Sequence, residues 1–131
     1  MNGPNHLEVG NTAGGYRVEA DDTSNVRVVA WGFWDVEVAE RFSGDVCGVC
    51  RRNFKTTQLV LDMGALKPMR DEGQHGFSEV ISSLSVMNVE SATVLTASQL
   101  TKLQLMRIVK ANDRTGRVRF AEAGTGSGWT R

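Results

Sequence analysis

Two sets of residues carry groups able to do chemistry. The first is Cys47-Gly-Val-Cys50, the spacing of a dithiol redox pair. A reactive pair of that kind sits at the start of a helix, where the dipole stabilises a thiolate. Here Asp35, the residue best suited to cap the surrounding helix, lies twelve positions before Cys47. The thiols therefore fall in the last turns, where the dipole opposes ionisation. The residues read as two packed core thiols rather than as a thiol oxidoreductase. The second set is Asp71, Glu72 and His75, a His-carboxylate group able in principle to move protons. No serine, cysteine or threonine stands between Thr57 and Ser78 to act as its nucleophile. Acidic residues at a helix start ordinarily serve the dipole.

A zinc site would need both cysteines with His6 and His75, in a spacing that matches no zinc pattern. No metal or other cofactor is expected. No phosphate loop is present either. Gly124-Thr-Gly-Ser-Gly128 has glycines enough, but no strand-to-helix setting. Trp31, Phe33 and Trp34 are three large aromatics within four residues. They cannot all face one core, and an exposed aromatic is a common interface anchor.

The 131-residue chain, 40% hydrophobic, is long enough for one domain with its own core. Fifteen basic residues balance fifteen acidic ones, which removes the field that nucleic acids and anionic membranes require. The polar start and the lack of a long apolar run predict neither a leader nor a membrane span, hence a cytoplasmic protein.

The elements that would position these residues follow from periodicity. Tyr16, Val18 and Ala20 alternate with Arg17 and Glu19, a half-buried strand, and 26–31 is a nearly continuous apolar run. Turn chemistry at 21–25 predicts that the two pair as a hairpin. Ala39, Phe42, Val46 and Val49/Cys50 form a helical stripe, with Glu37 and Arg41 paired outside it. Gly44 and Gly48 lie on the outer face of that helix. Leu59, Val60 and Leu61 suit a central strand buried on both faces. After a loop at 64–70, Asp71 and Glu72 open a second helix with Phe77, Val80, Ile81 and Leu84 inside. A strand at 92–96 precedes a third helix capped by Ser98, with Leu100, Leu103, Met106 and Val109 inward. Val118 and Phe120 mark an edge strand. The order is β-β-α-β-α-β-α-β. The fold class is α/β, with a mostly parallel sheet of four to five strands, an antiparallel N-terminal strand and three to four helices. Residues 1–15 are expected as a flexible N-terminal arm, with Leu7 and Val9 hinting at a short strand. Residues 16–122 form the domain, and 123–131 a flexible tail anchored only by Trp129.

In this order the chain resembles the STAS domain of bacterial anti-sigma factor antagonists. Three stretches carry the resemblance. Gly32, Asp35 and Ala39 match the family's first strand-to-helix passage. Leu59-Val-Leu-Asp62-Met-Gly-Ala-Leu66 with Met69-Arg-Asp-Glu-Gly73 is similar to its central strand and switch loop. The segment 92–108 is similar to its last strand-helix pair. The resemblance implies a STAS-like regulatory module that binds a protein partner, such as an anti-sigma factor, a kinase-like protein or another signalling protein. It implies no catalysis and leaves a homodimer open. In the family a serine or threonine at the second helix start is phosphorylated. Asp71 occupies the phosphoacceptor-equivalent position here, and no Ser or Thr occurs between Thr57 and Ser78. The implied contact surface is Met69, Arg70, Asp71, Glu72, Gly73, Gln74 and His75, with Phe33 and Trp34 beside it. The fold also resembles the core of CRAL-TRIO lipid-binding domains, which implies an alternative: a carrier whose aromatic cluster lines an apolar pocket.

Overall fold

The computed structural model describes residues 6–21, 24–52 and 56–124. The elements run in the order β1 (His6–Asn11), β2 (Gly14–Ala20), β3 (Asn25–Gly32), α1 (Val36–Arg52), β4 (Gln58–Leu66), α2 (Asp71–Ser82), β5 (Ser91–Thr96), α3 (Gln99–Asn112) and β6 (Val118–Glu122). The fold is α/β, as the alternation of strands and helices requires. The six strands stand side by side in sequence order, β1-β2-β3-β4-β5-β6. β2 runs antiparallel to both its neighbours, and β3 to β6 are parallel.

That order decides where the helices go. Each right-handed crossover advances the chain one strand in the same direction, so all three helices fall on one face of the sheet. They lie side by side, α1 against α2 and α2 against α3. The strand order never reverses, so the crevice that a reversal opens in other α/β sheets does not form.

The core lies between the helices and the strand residues that face them: Tyr16, Val18, Val26, Val28, Leu59, Leu61, Met63, Ala92 and Val94, all essentially inaccessible. Alternate residues point to the opposite face. There Arg27 and Asp62 pair across β3 and β4 at 2.9 Å. Val60 and Leu95 are buried on that face, so the centre of the sheet is apolar on both sides.

Three expectations need correction. The N-terminal arm is in part a strand: Leu7 and Val9 stand opposite Val18 and Tyr16, which extends the hairpin to a three-stranded unit. Arg41 pairs with Asp45 at 3.7 Å, one turn further along α1. The inner face of α3 is Thr101, Leu105, Ile108 and Val109. Leu100, Leu103 and Met106 are 69%, 51% and 42% exposed. The helix is turned because Thr101, fully buried, donates its hydroxyl to the Leu66 carbonyl at 3.0 Å. Trp129 and the rest of the tail after Gly124 lie outside the described residues.

Candidate functional site

The parallel strands β3 and β4 end at the same edge of the sheet, and the chain must turn there to enter α1 and α2. At the first turn Gly32 has φ of +69°, and a Cβ there would stand 2.1 Å from the Ala13 carbonyl oxygen. Only glycine fits a left-handed position with backbone that close. The turn sends two adjacent aromatics in opposite directions. Trp34 goes inward and donates its indole N–H to the Gly15 carbonyl at 3.0 Å. Its ring meets those of Tyr16 and Phe42 at centroid distances of 5.6 and 4.8 Å. The Tyr16 hydroxyl donates to Asp45 at 2.6 Å. These rings fill one another's space. Phe33 goes outward and is 66% exposed. Asp35 then caps α1, its carboxylate accepting the Val38 amide at 2.9 Å.

The second turn, Lys67 to Arg70, is tied down on three sides. The Lys67 amide donates to the Gly32 carbonyl at 3.0 Å, which joins the two turns. Gln104 of α3 accepts the Met69 amide at 2.7 Å and donates to the Met69 carbonyl at 2.9 Å. Gln74 of α2 donates to that carbonyl as well, at 3.0 Å. The Met69 side chain is buried over Gly73, where a Cβ would come within 2.9 Å of its sulfur. α2 then begins at Asp71 with Arg70 in the cap position and no side-chain cap.

α1 and α2 approach closely where Gly76 meets Ala39, a Cβ at Gly76 standing 3.1 Å from the Ala39 carbonyl oxygen. Above this contact lies a groove of about 340 Å³, with Ala39 and Gly76 as its floor. Glu40 and Ser43 form one rim; Asp71, Glu72, His75 and Glu79 form the other. The Ser43 hydroxyl donates to Glu79 at 2.7 Å, and the His75 Nε2 lies 3.3 Å from the other Glu79 oxygen.

This places the expected residues as follows. Arg70, Asp71, Glu72, His75 and Phe33 are exposed, and Gln74 is half-buried by its bond to the loop. Met69, Gly73 and Trp34 are buried, which corrects their assignment to a contact surface: they hold it in place from beneath. Asp71, Glu72 and His75 come together on the groove. Phe33 stands beyond the first turn of α1, beside a second depression that also includes Asp35, Glu37 and Arg41. Sequence reasoning missed the far rim, Glu40 and Ser43, because only the packing of α1 on α2 brings it there. It also missed Gln104.

The groove contains a hydroxyl, a carboxylate and an imidazole, in the order Ser43–Glu79–His75. A hydrolytic triad needs the imidazole between the other two, so that it can take the hydroxyl proton. Here the carboxylate is in the middle, and the imidazole cannot serve Ser43. The thiols are equally unsuited to nucleophilic work. Both are buried, and burial pushes Cys47 up and Cys50 up to about 12. What the arrangement offers is a fixed, acid-rimmed, apolar-floored cleft suited to a basic and apolar side-chain pattern. Among the described residues no cluster of three or more His, Cys, Asp or Glu could hold a metal. Nor is any helix among them long and apolar enough to cross a membrane.

No protein-family model matches the chain, no curated protein matches it, and no solved structure matches it. Its class is set by its own architecture: an α/β domain with a sequentially ordered mixed sheet and a one-sided helix layer.

Proposed function

We propose that this chain is a non-catalytic, STAS-like docking module of the anti-sigma factor antagonist kind, acting on a signalling protein in the cytoplasm. The observation that carries the reading is the pinned turn ahead of α2. Gln104 and Gln74 hydrogen-bond the Met69 backbone, which ties the turn ahead of α2 to α3 and to α2 itself. An interface fixed before contact loses little entropy on binding. Asp71 stands first in that helix, where the resemblance to the STAS family implies a phosphoacceptor. The partner reads the Asp71 charge together with Glu72, His75 and the groove behind them, and Phe33, beside the separate depression at the start of α1, supplies a second, apolar contact. Two buried free thiols fit a reducing compartment.

The test is capture of partners from cell extract by the wild-type chain and by Asp71→Ser and Asp71→Lys. A partner held by wild type, weakened by Asp71→Ser and lost with Asp71→Lys is the expected result. Capture unchanged across both substitutions overturns the assignment of this surface.

A further inference from the structure

Among the described residues, nothing covers the outward face of α3 at Leu100, Leu103 and Met106. The three make a diagonal apolar stripe across it, each at least two-fifths exposed. The helix carries Lys102, Arg107 and Lys110 and no acid. The bias extends beyond α3: from Lys102 to Phe120 there are six Lys or Arg and one acid, Asp113. From Asp71 to Thr101 there are four acids and no Lys or Arg. Acidic charge therefore gathers on α2, and basic charge on α3 and the loop that follows it.

The groove between α1 and α2 has the complementary chemistry: an apolar floor at Ala39 and Gly76, with Glu40, Asp71, Glu72 and Glu79 above it. We infer that α3 of one copy docks in the α1–α2 groove of a second copy, its leucines over the floor and its bases against the acidic rims. A formal charge of zero leaves no net repulsion between copies. A two-fold axis parallel to the helices lets each α3 use the other's groove, which closes the assembly at two copies. The self-complex covers the groove, so a signalling partner must displace it.

This inference rests on the groove being a docking surface. Sedimentation of the purified chain across a wide concentration range tests it apart from partner capture. Wild type is expected to associate, and less so in high salt. Leu103→Glu spoils α3 and leaves the groove intact; Glu72→Lys does the reverse. Both positions are exposed, and circular dichroism checks that each variant is folded. Each alone is expected to weaken association about tenfold or more. An equimolar mixture of the two is expected to re-associate, because one intact α3 meets one intact groove. A wild type that stays monomeric overturns the inference, as do variants that associate like wild type or a mixture that stays apart. If the monomer instead sediments with phosphatidylglycerol vesicles, the stripe is a lipid-facing surface and self-docking is overturned. Partner capture sensitive to Asp71 alongside a monomeric chain sinks self-docking alone. Loss of both sinks the groove itself.

Discussion

Gln104 and Met69 exchange two hydrogen bonds, the carboxamide accepting the backbone amide at 2.7 Å and donating to the carbonyl at 2.9 Å. A side chain from α3 thus does for this turn what a neighbouring strand does for a ladder. Gln104→Ala leaves the Met69 amide without its partner and is expected to cost about 1–3 kcal/mol. The same variant should speed hydrogen exchange at Met69 and Arg70 while the strands keep their protection. Exchange unchanged at those amides would show that Gln74 and the Met69 side chain hold the turn by themselves.

Adjacent Phe33 and Trp34 should respond oppositely to truncation. Trp34→Ala empties a site against Tyr16 and Phe42 and is expected to destabilise by about 3–5 kcal/mol in denaturant unfolding. Phe33→Ala removes an exposed ring and should move stability by no more than about 0.5 kcal/mol. On the proposed function, its effect should instead be seen in partner capture.

The glycines of α1 and of the β3–α1 turn also divide. A Cβ at Gly44 meets nothing within 4 Å, so Gly44→Ala should stabilise by about 0.5–1 kcal/mol through helix propensity. Gly32→Ala forces a side chain into a left-handed position against the Ala13 carbonyl and should destabilise by more than about 1 kcal/mol. Thermal melts of the two variants should shift in opposite directions.

Alkaline pH should unfold the protein. Burial raises Cys50 from 9.0 to about 12. Burial, then the hydrogen bond to Asp45, raises Tyr16 from its ordinary 10.0. For both groups the neutral form is favoured in the folded state. The Cys50 contribution is therefore complete below pH 9 and is lost as pH rises toward 12, while that of Tyr16 is complete below pH 10 and is lost progressively above it. Melting temperature should be flat up to pH 9 and fall beyond it. A thiol reagent should label neither cysteine in the native protein at mildly alkaline pH and both in denaturant. Fast native labelling would mean that α1 opens locally.

Much of this architecture is legible in the sequence because it rests on local periodicity. The stripe Ala39, Phe42, Val46 marks α1, and Leu59-Val-Leu61 marks a doubly buried strand. Asp35 and Ser98 cap the helices they were expected to cap, with the amides of Val38 and Thr101. The inward assignment on α3 failed because of a hydrogen bond made at a distance in sequence. Apolar spacing alone put Leu100, Leu103 and Met106 inward. Thr101, bonded to Leu66 thirty-five residues away, turned the helix instead. The acidic first turn of α2 was visible, but the far rim of its groove depends on Gly76 letting α2 settle against Ala39. No local pattern encodes that contact. Leu7 and Val9 gave too short an alternation to distinguish a paired strand from an arm.

The division of charge between α2 and α3 has a consequence for handling as well as for contact. A molecule with no net charge and its opposite charges set apart is a permanent electric dipole. Near neutrality such molecules attract one another as oriented zwitterions, and added ions screen that attraction. Dilute salt should therefore dissolve this protein rather than precipitate it, and desalting should turn a clear solution cloudy.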